Sequence, residues 1–448
     1  MGNILKKIDQ KVFGKLFIIL AVFLIGLGLG REYLSKNQNP NSYTQNTLNA
    51  FISEIYDKVK ENYWNNISDA ELLELFKLSI EKNNGNINVS KFEDKNNLLT
   101  GFSNATSGMN DEEKNKFTAL VAASVLSSLT PVGRSGLYTQ ALEQQLKNKV
   151  ENVNPGKDLY KDLGLQKGAS EAAVKQAYQN KANELSGDKS PKSQEKLKSL
   201  SYARDTLTQK DTKEKYDQKG VEPTIFSRIE GSGILYVQFK KFSPTSLEEF
   251  KKTFEKYKDN TALTALIFDL RGNIGGAIDS SAYFLGYFLG KGQYAFDFYH
   301  KGEYIPFKTQ TDKLPSAAKF KQVVVLIDQN TQSSAEMMAA SFKRYHLGAV
   351  LGVPSKGWGT VERVFPLENQ IRGSEKYSLF LVHSLTLRDD NQPIEGRGVE
   401  PDININDQNW PQKLFLYFNN PDLVETIKKV MSYKDSGFSG SYSLENPK

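Results

Sequence analysis

From Val221 onward the chain alternates short β-rich runs with helical ones: GILYVQFKKF, SLEEFKKTFEKY, ALTALIFDL, AIDSSAYFLGYFL, VVVLID and SAEMMAASFKRY. Apolar runs of four to eight residues, separated by amphipathic segments, predict an α/β core with largely buried strands. At 448 residues the chain is too long for one ordinary core, so further units are expected ahead of it.

Helical patterns fill that region. LNAFISEIYDKVKENY and SDAELLELFKLSIEK place apolar residues at three- and four-residue steps, the second opening on a Ser68 cap. Asn84 to Ser107 is rich in Asn, Gly and Ser and reads as an irregular insertion before another helix over Asp111–Leu129. A further helical block runs from Lys157 to Gly220. The one long apolar run is KLFIILAVFLIGLGLG, Lys15–Gly30, preceded by Lys6, Lys7 and Lys11. With Val12–Gly14 it is long enough to span a bilayer, and the lysines ahead of it keep the short N-terminus in the cytoplasm. A cleaved signal peptide is the competing reading, but GLGRE is a poor cleavage site. The expected organisation is a cytoplasmic N-terminus (1–11), a transmembrane helix (12–33) and a linker (34–47). An all-α N-terminal region (48–155), an all-α insert (156–221), the α/β core (222–405) and a C-terminal helical tail (406–448) come next. The bulk of the chain is then extracytoplasmic, on a single-pass anchor in the cell membrane.

The net charge of +6 is spread over 58 basic and 52 acidic residues, so no nucleic-acid partner is expected. With no cysteine and three histidines, thiol nucleophiles are excluded and neither metal nor cofactor is expected. Any nucleophile is a hydroxyl or a carboxylate. Two loops qualify for chemistry. DLRGNIGG, Asp269–Gly276, lies between an apolar run and a helix, where glycines either make a turn or present N–H groups to an anion. DQNTQSSAEMMAASF starts a helix near Ser333 or Ser334, so a hydroxyl there is either an N-cap or a nucleophile at the positive end of a helix dipole.

Taken in order, DLRGNIGG, DQNTQSSAEMMAA, GVPSKGWGTVE and IEGRGVEPDI resemble the carboxyl-terminal processing (tail-specific) protease family, whose motifs are D-L-R-G-N-P-G-G, T-A-S-A-S-E-I, T-F-G-K-G-x-V-Q and G-x-G-I-x-P-D. The resemblance covers about Val221–Ile405, and two earlier segments, IYDKVKENYWNNISDAELLEL and SSLTPVGRSGLYT, resemble the helical segment ahead of it. It implies a core akin to the crotonase and Clp-protease superfamily and a serine-lysine hydrolase of peptide bonds. By position, Ser333 is the implied nucleophile, Glu336 the motif's glutamate, and the N–H groups of Gly275, Gly276 and Ser334 the implied oxyanion donors.

The base departs from the family. Its lysine falls on Trp358 and its following glutamine on Glu362. An indole N–H only donates, so Trp358 takes no proton. Lys356, two residues earlier in an extended segment, shares a face with position 358 but lies about 6 to 7 Å away. A loop shifted by two residues brings it to the serine, and Lys356 is the expected base. The alternatives are a site without a base, which binds extended polypeptide without cutting it, and an unusual base such as His346 or Glu362.

DLYKDLGL, ASEAAVKQAY and YDQKG, across Asp158–Gly220, resemble a J domain, set where the protease family carries a PDZ domain. The His-Pro-Asp motif by which J domains stimulate a chaperone ATPase is here Ser186-Gly187-Asp188, so no chaperone partner is expected and a membrane-tethered co-chaperone is the weakest reading. The expected partner is a polypeptide substrate, with the insert handling substrate or regulating the core.

Overall fold

The computed structural model describes residues 45–84, 91–188, 190–231, 233–371, 373 and 375–432. The segments read as a cytoplasmic N-terminus (1–11) and a transmembrane helix (12–33) lie outside the described residues, among which no helix is long and apolar enough to cross a membrane.

The described chain divides into two compact units. The first comprises residues 45–61, 67–140 and 364–381. It contains helices α1 (Gln45–Asn62), α2 (Asp69–Asn83), α3 (Lys95–Thr106) and α4 (Asp111–Ser128) and strand β1 (Gly136–Thr139). Ser68 caps α2 as expected, its hydroxyl accepting the Glu71 N–H while Glu71 reaches back to the Ser68 N–H. Two expectations are corrected here. The segment read as irregular contains α3, capped by Asp94 and burying Leu98 and Phe102, because a low-propensity run still folds when it has a cap and an apolar stripe to bury. Nor is the region all-α, since β1 pairs antiparallel with the first residues of a later strand, Gly136 opposite Phe380.

The second unit holds the rest, beginning with α5 (Gln140–Glu151). The insert is built of α6 (Leu159–Asp162), α7 (Glu171–Leu185), α8 (Pro191–Thr208) and α9 (Lys210–Lys219), around a core of Leu159, Tyr160, Val174, Leu200, Ala203 and Leu207. Then come β2 (Ile225–Glu230), β3 (Ile234–Phe239), α10 (Ser246–Lys256), β4 (Ala265–Asp269), α11 (Ser281–Leu289), β5 (Tyr294–His300), β6 (Glu303–Lys308) and α12 (Pro315–Ala318). The chain continues through β7 (Gln322–Ile327), α13 (Ser334–Arg344), β8 (Ala349–Gly352), β9 (Thr360–Pro366), β10 (Tyr377–Thr386), β11 (Ile403–Asn404), α14 (Trp410–Phe418) and α15 (Pro421–Ser432).

The main sheet has six strands in the order β11-β8-β7-β4-β3-β2, parallel except for β2, which pairs antiparallel with β3. Both faces are covered, which is why its strands read as continuous apolar runs. Leu235, Val237, Phe239, Leu266, Phe268, Val323 and Val325 point to the side packed by α10, α11 and α13. Their neighbours Ile234, Tyr236, Ile267, Val324 and Leu326 point the other way, onto α14 and α15. The residues read as a C-terminal tail therefore form the cover of one sheet face. The mixed α/β core with helical regions is as the sequence implied.

Candidate active site

Parallel strands of one sheet deliver their C-terminal ends to one edge, and the loops after β4, β7 and β8 meet there. After β4 the loop is braced from below. Asp269 is fully buried, accepting from the Tyr236 hydroxyl at 2.7 Å and from Arg271 Nε and Nη2 at 2.9 and 2.7 Å. Asn273 is also fully buried, its Nδ2 donating to the Phe239 carbonyl at 2.7 Å while its own carbonyl accepts the Gln332 N–H at 2.9 Å. The loop that carries the glycines is thus tied to the loop that carries the serines.

Both glycines are there because nothing else fits. At Gly275 (φ +80°) an added Cβ stands 2.6 Å from Ser333 Cβ, and at Gly276 (φ +141°) it stands 2.0 Å from the Phe242 carbonyl oxygen. Phe242 lies beside them like a strand, its N–H donating to Gly275 O at 3.0 Å and its carbonyl accepting from Ala277 N at 2.7 Å. One expected oxyanion donor is corrected by this geometry. The Gly275 N–H is spent on Asn273 Oδ1 at 2.9 Å, so Gly275 serves by letting the serine come close. Among the described residues the N–H groups of Gly276 and Ser334 have no hydrogen-bond partner.

Ser333 sits at the N-terminus of α13 with φ 56° and ψ −124°. The serines that merely cap helices in this chain are extended: Ser68 at −71°, 158°, Ser170 at −67°, 157° and Ser190 at −62°, 148°. A non-glycine residue in the Ser333 conformation costs on the order of 1–3 kcal/mol, and such strain persists only where the surroundings impose it. They do so through Glu336, fully buried, which accepts from Ser333 N (2.8 Å), the Ser355 hydroxyl (2.6 Å), Gly357 N (2.6 Å) and Trp358 N (2.8 Å). Burial raises the Glu336 pKa, and those four donors pull it back.

The structure separates the base candidates. Residues 353–359 are not a strand, and Gly357 has φ +80°, so the face shared by positions 356 and 358 in an extended segment is absent. Lys356 is exposed, its N–H bonded to Thr331 O at 3.0 Å. His346 lies just past the last turn of α13, and at about 1.5 Å per residue that helix carries it to the end opposite Ser333. Trp358 holds the position beside the serine, and its Nε1–H donates to Glu362 Oε1 at 3.2 Å, where the Thr360 hydroxyl also donates at 2.6 Å.

The comparisons with known proteins fit this picture. Residues 233–405 match the model of peptidase family S41, and residues 158–217 match the DnaJ domain. A probable CtpA-like serine protease of Staphylococcus epidermidis is 27% identical over 198 residues, 44% of this chain and 38% of its own length. A carboxy-terminal-processing protease of Bartonella bacilliformis is 28% identical over 233 residues, 49% of this chain and 50% of its own. The chain spans about half or less of these relatives. The solved photosystem II D1 C-terminal processing protease aligns at 11% identity with a TM-score of 0.47, covering 81% of this chain and 94% of that one. Residues 233–405 thus match a peptidase family S41 domain and residues 158–217, ahead of it, a DnaJ domain, and the curated relatives they resemble are carboxy-terminal processing proteases.

Proposed function

We propose that the chain is a serine endopeptidase of extended polypeptides, anchored in the cell membrane by residues 12–33 with its bulk outside the cytoplasm. Ser333 attacks the scissile carbonyl, and the N–H groups of Gly276 and Ser334 receive the oxyanion, each such donor contributing roughly 10²-fold or more. The observation that carries this reading is the strained backbone of Ser333, held by Glu336 beside two N–H groups that have no partner among the described residues. A capping serine needs none of that. For Lys356 to act as base the 353–359 loop would have to rearrange, since its side chain is exposed.

A second reading, a pseudoprotease that binds extended chain in the cleft, is favoured by Trp358 standing at the family's lysine position with its indole N–H on Glu362. The test is incubation of the chain, in detergent, with a reduced and alkylated protein, then mass spectrometry, and parallel exposure to a fluorophosphonate probe. Fragments and a labelled Ser333 peptide, both absent in Ser333→Ala, are expected. Binding of the unfolded protein without cutting or labelling supports the pseudoprotease instead. The J-like unit is read as a regulatory or substrate-handling insert and not as a co-chaperone, because the side chain of Asp188, the one residue kept from the motif, is engaged locally by Ser190 N–H and the Ser193 hydroxyl.

A further inference from the structure

The peptidase reading requires the Gly276 N–H to face the nucleophile, and a role for whatever aims it rests on that reading. Phe242 and Gly276 form an isolated parallel bridge, in which Phe242 N donates to Gly275 O at 3.0 Å and Ala277 N to Phe242 O at 2.7 Å. The residue flanked in this way turns its own N–H and C=O to the opposite side. There the Gly276 carbonyl accepts the Ser334 hydroxyl at 3.2 Å, so the Gly276 N–H also lies on the side of the first residues of α13. The direction of the peptide plane between Gly275 and Gly276 thus decides whether an oxyanion meets a donor or a carbonyl oxygen. A plane between two glycines is easily turned over, because each populates positive and negative φ alike. Phe242 restrains it on one side only.

Asn273 restrains the other. Its Oδ1 accepts the Gly275 N–H at 2.9 Å, two residues on, as in an Asx turn, and its Nδ2 donates to Phe239 O at 2.7 Å. A carbonyl only accepts and an N–H only donates, so the two partners settle which end of the amide is which. The Asn273 backbone is held as well, its N–H by Leu270 O at 3.1 Å and its carbonyl by the N–H of Gln332, the residue before Ser333, at 2.9 Å. One residue therefore ties the end of β3, the glycine turn and the approach to the serine. Phe242, which follows Phe239 by three residues, closes the ring by holding the carbonyl of the same Gly275. Because Asn273 is fully buried, its loss would leave the Phe239 carbonyl and the Gly275 N–H away from water without that partner, which favours a rearranged loop.

We infer that Asn273 is the positioning residue of the oxyanion hole, acting through Gly275 and not on the substrate. By fixing the Gly275 N–H, and with it the φ of +80°, it keeps the next peptide plane with the Gly276 N–H toward the reacting carbonyl oxygen. Turned over, the same plane would present Gly275 O to the developing negative charge. An aspartate has no donor for Phe239 O, and an alanine has neither group.

The test uses the whole chain in detergent and compares Asn273→Ala, Asn273→Asp and Ile427→Ala with the parent. Fluorophosphonate labelling of Ser333 is followed over a range of probe concentrations, which separates the limiting rate from the half-saturating concentration, and affinity for a reduced and alkylated protein is read by fluorescence anisotropy. Asn273→Ala is expected to lose about 10²-fold in limiting rate, as for one oxyanion donor, with the half-saturating concentration and the affinity for the alkylated protein within about threefold of the parent. Asn273→Asp keeps the shape and an oxygen for the Gly275 N–H, and is expected to lose about tenfold, roughly one hydrogen bond. Ile427→Ala, on the far face of the sheet, is expected to label at the parental rate. An equal loss in Ile427→Ala overturns the role, because general destabilisation then suffices. So does a loss of affinity in step with the loss of rate. If Asn273→Ala does not fold, Asn273→Asp at the parental limiting rate is the overturning result. A parent that labels no faster than Asn273→Ala removes the positioning role alone, and a parent that neither cuts nor labels removes the peptidase reading with it.

Discussion

At the scale of single residues, the glycine pair and two histidines make contrasting demands. Gly276→Ala drives a methyl group to 2.0 Å from the Phe242 carbonyl at φ +141°, so the loop must move or the residue must change conformation. We expect Gly276→Ala to label at Ser333 at least 10²-fold more slowly, with a loss of about 1–3 kcal/mol in urea unfolding. His383 is a matter of stability. Its ring stacks on His300 at 4.3 Å, and burial first, then the charges of Arg363, His300 and Lys301, push its pKa down to about 4. The unfolded chain protonates near pH 6.5 and the folded chain only near 4, so between these values the unfolded state binds more protons and stability falls as pH falls. Thermal melts from pH 7.5 down to 4 are expected to drop more steeply for the parent than for His383→Gln, and parallel curves would refute this role of the ring.

At the scale of elements, the J-like unit is joined to the core by more than its neck. Phe226 of β2 packs against the unit's own core, 5.6 Å from the Tyr202 ring, and the Tyr202 hydroxyl donates to buried Glu222. Lys215–Glu248 and Lys252–Asp211 join α9 to α10 across a partly exposed surface and contribute little each. Tyr202→Phe removes a side-chain donor from Glu222, whose other oxygen has no partner among the described residues, and is expected to cost about 1–3 kcal/mol by urea unfolding. Glu222→Gln is expected to be milder, because burial already raises that carboxyl's pKa and a neutral amide avoids the buried charge. The sequence made much of the fold legible, since helix periodicity, the Ser68 cap, the apolar strands and the order of the motifs are local signals. Phe242 was not legible, because what matters there is a contact across the fold, its backbone meeting Gly275 and Ala277 through hydrogen bonds alone. Ser333 was legible only as an ambiguity between cap and nucleophile, and its left-handed backbone, unlike that of the other capping serines, is what the nucleophile reading draws on.

At the scale of the molecule, the second unit works as a three-layer sandwich whose back layer is made by its last described residues. Ile234, Tyr236, Ile267, Val324 and Leu326 leave the sheet on the side away from α13, and Leu414, Leu423, Val424, Ile427 and Val430 cover them. The front layer alone positions Ser333, since α13 and the loops after β4 and β8 lie at its edge, yet those loops hang from strands that need both layers. Removing the back layer would expose five sheet side chains and delete five covering ones, each burial being worth roughly 1.5–3 kcal/mol. The sum exceeds the whole stability of a typical domain, about 5–15 kcal/mol. A chain ending before Trp410 is therefore expected to be insoluble, although every residue of the candidate site remains in it. Ile427→Ala, a smaller cut in the same layer, is expected to cost about 2–5 kcal/mol in urea while Ser333 still labels at the parental rate under native conditions. If the truncated chain folds and labels, the back layer is dispensable and the strands hold their loops without it.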